Sequence, residues 1–402
     1  MSSRPAVSHP VSPDIRLLLL MSRLRLDTAQ QERALALCAE VSDWQELALR
    51  AGRHFVAPLC LRHLRALPAF PGQESACQAL LQVIRPMTLH SLKLAALQRD
   101  FVRTQLQPLD VPFLAVKGRA LATRYYEDAG LRYCRDIDIL VPRQRLVDVI
   151  ERAQQAGYRV YPDRVEISRG EARVLASQAR VVALLGPENI FIEVHAQLDK
   201  TGFLLDHVAM SRRAEQIELD GIATPILATT DCFIYICLHH TKHFWSRLSW
   251  LADLDAIIQA ADFDRSAVMA EARRLGVDAT VAACLCLHEA CGQADPFTWP
   301  GLTDAARDLL EASLANLEGG CEVEFEQRKG RLSLEFNFDW QFPPGYRRRD
   351  FWYNFKSFFK PTLSDYQLLP LPESMYWMYY VLRPLLLLVR RVLPINEPPR
   401  AA

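Results

Sequence analysis

The seven residues Arg135-Asp136-Ile137-Asp138-Ile139-Leu140-Val141 alternate charged with branched apolar side chains before giving way to an apolar run. On a strand, residues two apart share a face, so Asp136 and Asp138 project together while Ile137 and Ile139 turn to the core. Two neighbouring carboxylates repel, and the field of a divalent cation offsets that cost. Hard oxygen ligands of this kind suit one or two magnesium ions, with manganese as the alternative. Taken alone, the pair equally describes a strand with one solvent face, so its surroundings matter. Upstream, Lys117-Gly118 closes a short strand and opens a helix; a glycine there lets a phosphate approach backbone amides. Downstream, IFIEVHAQL offers a third carboxylate, Glu193, with His195 on the same strand face. Three acids on adjacent strands facing a glycine turn form a two-metal phosphoryl-transfer site.

These side chains need elements to hold them. From Ile15 to Leu106 apolar residues recur three and four apart and Gly is nearly absent, which predicts helices; Pro68, Pro71 and Gly72 divide them into two groups. Around Val111 the texture changes. PFLAVKG reads as a short strand, RALATRYYEDA as a helix ending near Gly130, and the acidic strand stops at Pro142. Residues 143–156 form an amphipathic helix with Gly157 as its stop signal. YRVYP is a strand, and RVVALLG with NIFIEVHAQL a hairpin around Gly186-Pro187. Helical texture returns from Thr230 through Gly319, and the rest is aromatic- and proline-rich with little clear periodicity. The expected organisation is therefore residues 1–108 as an N-terminal helical region, 109–228 as an α/β core, 229–320 as a helical domain and 321–402 as a C-terminal packing segment. The fold class is α+β: a small mixed sheet with helices, flanked by mainly helical N- and C-terminal regions.

FLAVKGRALATRYYEDAGLRYCRDIDILV, a helix ending in AGY, and then IEVHAQL together resemble the uncharacterised nucleotidyltransferase family of the DNA polymerase beta-like superfamily. Its Lys-Gly turn, Arg-x-x-x-Asp-x-Asp strand and Glu-x-His strand are matched in order by Lys117 and Gly118, by Arg132 with Asp136 and Asp138, and by Glu193 with His195. LHHTKHFWSRLSWLADLDAII is similar to the family's helical segment through His240, Trp245, Leu248, Trp250 and Asp253, and LPLPESMYWMYYVLRPL to its C-terminal segment. The likeness covers roughly 110–390 and is most specific at the acids. One departure is plain: the wider superfamily's turn is generally Gly-Ser or Gly-Gly, but Arg119 follows Gly118 here. A serine contact to phosphate is missing, leaving Lys117 or the Gly118 amide to substitute.

The resemblance implies transfer of a nucleoside monophosphate from a nucleoside triphosphate, ATP among the candidates, to a hydroxyl of a small molecule, sugar, lipid or protein, releasing pyrophosphate. Asp136 and Asp138 would hold the metal, Glu193 would complete a second metal site or deprotonate the acceptor, and Lys117 and Arg132 would carry phosphate charge. His195 orients Glu193, touches the nucleotide or is simply a structural strand histidine. His239, His243 and Arg247 recur four apart, predicting one polar helix face. His240, Arg247 and Asp253 are candidates to close over the nucleotide; the plainer reading is a polar face with Trp245 and Trp250 in the core. Two competing functions are a catalytically silent nucleotide-binding scaffold or sensor, against which the intact triad argues, and an Asp-x-Asp glycosyltransferase, which would need a larger parallel sheet before the motif.

Composition narrows the partners. The chain has 402 residues, half of them hydrophobic, enough for two to three ordinary cores. Lys+Arg and Asp+Glu are both 47, so general nucleic-acid coating is disfavoured. Only seven of those 47 basic residues are lysines, which singles out Lys117 at the glycine turn. The ten cysteines are scattered; Cys284, Cys286 and Cys291 with His288 lie on a predicted helix whose cysteines point different ways, so small core residues are expected there rather than zinc ligands. Free thiols suggest a reducing, cytoplasmic setting. The LLLLM run is too short for a signal-peptide core, and VLRPLLLLVRRVLP is interrupted by Arg383, Pro384, Arg390 and Arg391 and cannot span a bilayer. A C-terminal packing segment is preferred for that tail over peripheral membrane contact.

Overall fold

The structure is a computed structural model that describes residues 11–161, 166–328 and 337–392. Pro162 at the end of YRVYP, the last two residues of the VLRPLLLLVRRVLP tail, and the outer ends of the first and last expected regions lie outside the described residues.

Among the described residues, five α-helices come first: α1 (Pro13–Met21), α2 (Thr28–Cys38), α3 (Trp44–Arg53), α4 (Ala57–Ala66) and α5 (Gln73–Phe101). Their starts follow side-chain chemistry. Ser12 caps α1 with Pro13 behind it, and Asp27 and Gln30 form a reciprocal capping box on α2. Then come β1 (Leu114–Ala115), α6 (Arg119–Tyr125), β2 (Ile137–Leu140), α7 (Leu146–Gln155), β3 (Arg159–Val160), α8 (Arg169–Gln178), β4 (Val181–Leu185), β5 (Phe191–His195), α9 (His207–Arg213), β6 (Glu215–Leu219) and β7 (Ile222–Ile226). Helices follow in the remaining described residues: α10 (Thr229–Lys242), α11 (Leu248–Ile258), α12 (Arg265–Leu275), α13 (Asp278–Ala290), α14 (Asp304–Arg328), α15 (Pro344–Phe359), α16 (Leu363–Leu368) and α17 (Met378–Val392). The architecture is α+β, a seven-stranded mixed sheet with many helices.

The chain forms two compact units. One comprises 1–91, 121–133 and 229–343; the other 92–120, 134–228 and 344–402. Texture along the chain and contacts in space divide it on different grounds.

The first unit is helical. Its largest fully buried side chains include Trp245, Tyr235 and Phe233. A buried carboxylate ties three parts of it together: Asp255 accepts from Leu24 N at 2.7 Å, lies 3.3 Å from Arg23 Nη1 and 2.7 Å from His288 Nε2. His288 is thereby a hydrogen-bond partner of α11. Cys284, Cys286 and Cys291 are buried in and beside α13.

The second unit holds the sheet, in the order β3-β4-β5-β2-β1-β7-β6. The pairs β2–β5 and β1–β7 are parallel and the others antiparallel. The period of two decides the faces. Ile137, Ile139, Ile192 and Val194 enter the core with Phe101, Leu146, Val149 and Ile150, which leaves the alternate residues of β2 and β5 for the other face.

Two local expectations change. The helix after Gly118 stops at Tyr125 rather than near Gly130, because Asp128 caps a separate short turn and accepts from Gly130 N at 2.8 Å. The aromatic- and proline-rich C-terminal region contains α15, α16 and α17, whose helical period is obscured by large residues on more than one face. These helices are seated on the sheet unit by polar contacts. Lys200 Nζ lies 2.7 Å from the buried Asp350, Gln178 Nε2 donates to Pro361 O, and Tyr376 Oη donates to Gly170 O at 3.4 Å.

Candidate active site

The parallel register of β2 and β5 sets Asp138 beside Glu193 and Leu140 beside His195. Strand alternation then presents Asp138, Glu193 and His195 on one face, opposite the apolar core. Ligand atoms of these three all lie within 4.8 Å of one another, and this is the one such group among the described residues. His195 Nε2 is 3.0 Å from Asp138 Oδ1 and 3.5 Å from Glu193 Oε2. Asp138 is buried, Glu193 is partly exposed, and the imidazole lies between them.

A fourth group comes from the turn after β1. Lys117 Nζ lies 3.0 Å from the same Asp138 Oδ1. That oxygen thus has two cationic neighbours, whereas Asp138 Oδ2 is buried and has no hydrogen-bond partner among the described residues. An unmet carboxylate oxygen costs about 1–3 kcal/mol, so the site favours a further positive ligand there. Gly118 keeps the approach open. Its φ of +65° is left-handed, and a Cβ on it would fall 4.0 Å from Asp138 Oδ2 and 3.5 Å from Asp136 O. The buried unmet oxygen, the hard carboxylate donors and the adjoining imidazole fit a divalent cation.

The electrostatics follow from these contacts. Burial pushes the Glu193 carboxyl upward, but the His195 hydrogen bond and the Lys117 charge outweigh it and hold it at about 2. Burial pushes His195 downward, yet the hydrogen bonds and charges of Asp138 and Glu193 outweigh that and raise its pKa above the ordinary histidine value. The imidazole therefore leans to its cationic form. Asp136 precedes β2, is half-buried, and bears on the site through its charge, which opposes ionisation of Glu193. The Asp-x-Asp pattern thus contributes unequally: Asp138 supplies the buried ligand atom, and Asp136 lies outside the three-residue group.

Arg119, which stands where the wider superfamily often carries serine, turns away from this face. Its guanidinium makes a bidentate pair with Asp220 at 2.7 and 3.1 Å, in the two-residue Asp220-Gly221 hairpin whose φ values are both positive.

Arg132, His240 and Arg247 belong to the first unit. Arg132 Nε and Nη2 lie 2.6 and 2.8 Å from the two oxygens of Asp253, and Tyr126 Oη donates to the same carboxylate at 2.7 Å. His240 is buried and stacks on Trp250, with ring centres 4.5 Å apart and planes within 6°. The single helix face expected to carry His239, His243 and Arg247 does not exist. α10 ends at Lys242, and Phe244 and Trp245 take positive φ values of 55° and 52°, which no continuing helix allows. Arg247 instead precedes α11, with Nη1 donating to Ser246 O, and its charge bears on the buried His54. Trp245 is fully buried and Trp250 half-buried.

Sequence reasoning missed how the loop after β5 is built. Asp199 is buried and accepts from Thr201 N, Thr201 Oγ1, Phe203 N and Leu205 N. The Asp-Lys-Thr-Gly string there is the signal, since aspartate commonly bonds backbone amides two residues on.

A family model described as uncharacterised nucleotidyltransferase matches residues 40–292. No curated protein and no solved structure matches the chain.

Proposed function

The chain belongs to the uncharacterised nucleotidyltransferase family, and from that premise we propose that it moves a nucleoside monophosphate from a nucleoside triphosphate to an acceptor hydroxyl. The acceptor oxygen forms a bond to the α-phosphorus as the bond to pyrophosphate breaks. The observation that carries this reading is the Asp138–Glu193 pair, joined through one imidazole and retaining a buried carboxylate oxygen that has no hydrogen-bond partner among the described residues.

Asp138, Glu193 and His195 would hold the metal, with Asp136 adding negative charge beside them. Magnesium or manganese, when bound, neutralises triphosphate charge and eases ionisation of the acceptor hydroxyl. Glu193, held at about 2, is ionised at neutral pH and a poor proton acceptor, which favours an anionic ligand role over that of general base. Lys117 sits within reach of Asp138 and can exchange that partner for a phosphate oxygen. Gly118 keeps the backbone low where the phosphate would lie.

Each labelled nucleoside triphosphate, offered with cell extract and magnesium, tests this. Transfer of label to an acceptor is expected with the native chain and not with the Asp136→Asn, Asp138→Asn double variant. Unchanged magnesium-dependent pyrophosphate release in that variant would falsify the mechanism.

A further inference from the structure

Twelve of the eighteen large apolar side chains that stand exposed among the described residues fall between Phe351 and Val389, a concentration no other described part approaches. On α15, Phe351, Phe355 and Phe358 recur four and three apart and are 62%, 50% and 53% exposed. On α17, Val381, Leu385 and Leu388 recur in the same way and are 68%, 59% and 59% exposed. Helical spacing makes each set a single stripe. The two helices pack on one another within the sheet unit. Other faces of the two helices are committed to the protein, through Asp350 to Lys200 and through Arg383 to Asp365 at 2.8 Å. A bare apolar face this extensive marks an interaction surface.

Three observations decide the occupant. The first is charge. Residues 344–392 hold eight Lys and Arg against three Asp and Glu, in a chain whose totals balance, and Asp350 and Asp365 are turned inward onto their ion-pair partners. Arg347, Arg348 and Lys356 are exposed beside the phenylalanines. The second is residue type. Trp352 and Trp377 are 52% and 65% exposed at this face, and tryptophan favours the boundary between headgroups and acyl chains. The third is length: no helix among the described residues is long and apolar enough to cross a membrane. Basic residues edging an aromatic-apolar helix face that cannot span are the chemistry of a helix lying in an interface. A second copy fits less well, since a two-fold contact would bring two copies of the same net-basic patch together. We propose that α15 and α17 dock this chain on an anionic lipid surface, with the apolar stripes entering the headgroup–acyl boundary and the basic residues meeting lipid phosphates.

The inference is independent of the proposed transfer reaction, and its test needs no activity. The full chain is sedimented with phosphatidylcholine vesicles lacking or containing phosphatidylglycerol. Binding to the anionic vesicles is expected, at least about tenfold weaker on neutral vesicles or in high salt. Phe355→Ser with Leu385→Ser, and separately Arg348→Glu with Lys356→Glu, should each weaken it about tenfold or more. All four side chains are exposed, so the thermal unfolding midpoint should stay put and report an intact fold. Tryptophan emission should shift to the blue on anionic vesicles and lose that shift in the Trp352→Phe, Trp377→Phe variant. No binding to anionic vesicles overturns the proposal, as does binding that both pairs of substitutions leave unchanged. Concentration-dependent dimerisation abolished by Phe355→Ser, without vesicle binding, also overturns it and assigns the face to a second copy.

Discussion

Asp138 and Glu193 stand side by side in the parallel β2–β5 register, and one nitrogen, His195 Nε2, lies 3.0 Å from the first and 3.5 Å from the second. A proton on that nitrogen serves both carboxylates, and a metal would compete with it for the same three side chains. His195 has a raised pKa, so it keeps its proton above the usual histidine range. Metal ligands must be deprotonated, hence cation affinity should rise as pH climbs through that range. The expected outcome is a manganese-induced increase in Tm that is larger at pH 8 than at pH 6, and absent in Asp138→Asn. A thermal shift equally large in Asp138→Asn, by differential scanning fluorimetry, would sink the metal assignment.

Lys117 Nζ shares Asp138 Oδ1 with His195 and helps hold Glu193 at about 2. Lys117→Met removes a phosphate partner and one of the charges acting on Glu193, so the Glu193 pKa moves up toward its ordinary value. A charge-assisted hydrogen bond contributes about 1.5–3 kcal/mol, so kcat/KM for the nucleotide should fall roughly ten- to a hundredfold. Lys117→Arg should recover part of it. Steady-state kinetics on both variants decide this; equal loss in the two would mean that shape rather than charge matters.

Much of the site could be read from spacing, because strand alternation is strict: placing Ile137 and Ile139 in the core forces Asp138 to the other face. The hairpin of β4 and β5 was equally legible from its flanking apolar runs around Gly186. What spacing could not convey was pairing in space. Nothing local says that Arg132 will meet Asp253, 121 residues away, or that Lys117 will reach Asp138. The histidine segment misled for a different reason. His239, His243 and Arg247 have helical spacing, but the left-handed Phe244 and Trp245 break the helix where neither residue type announces it. In the C-terminal region the period was present and hidden, since α15 and α17 carry apolar residues on both packed and bare sides.

The Arg132–Asp253 pair makes a stability prediction. Both side chains are buried, with 9% and 0% exposure, and Tyr126 Oη depends on the same carboxylate. Asp253→Ala would take that carboxylate from a buried guanidinium and a phenol, and removal of one partner of such a pair costs about 3–5 kcal/mol. Arg132→Met with Asp253→Leu removes both charges and should recover most of that loss. Urea unfolding of the two variants measures it; a double variant as unstable as Asp253→Ala would show that packing, not the lost ion pair, dominates.

His54 supplies a pH dependence in the first unit. It is buried, and burial with the neighbouring Arg247 charge lowers its pKa to about 4 from the usual 6.5. The unfolded chain therefore binds a proton between those values that the folded chain refuses. Stability from this residue is fully present above about pH 6.5, declines as pH falls toward 4, and levels off below that. The full difference is of order 3 kcal/mol, since each tenfold change in proton affinity corresponds to about 1.4 kcal/mol. His54→Gln removes the titration but keeps a side chain able to hydrogen-bond, so its urea midpoint should fall less than that of the native chain between pH 7 and pH 4.5. Parallel urea titrations at the two pH values are the check. If both proteins lose the same stability over that range, His54 is not held neutral by its surroundings.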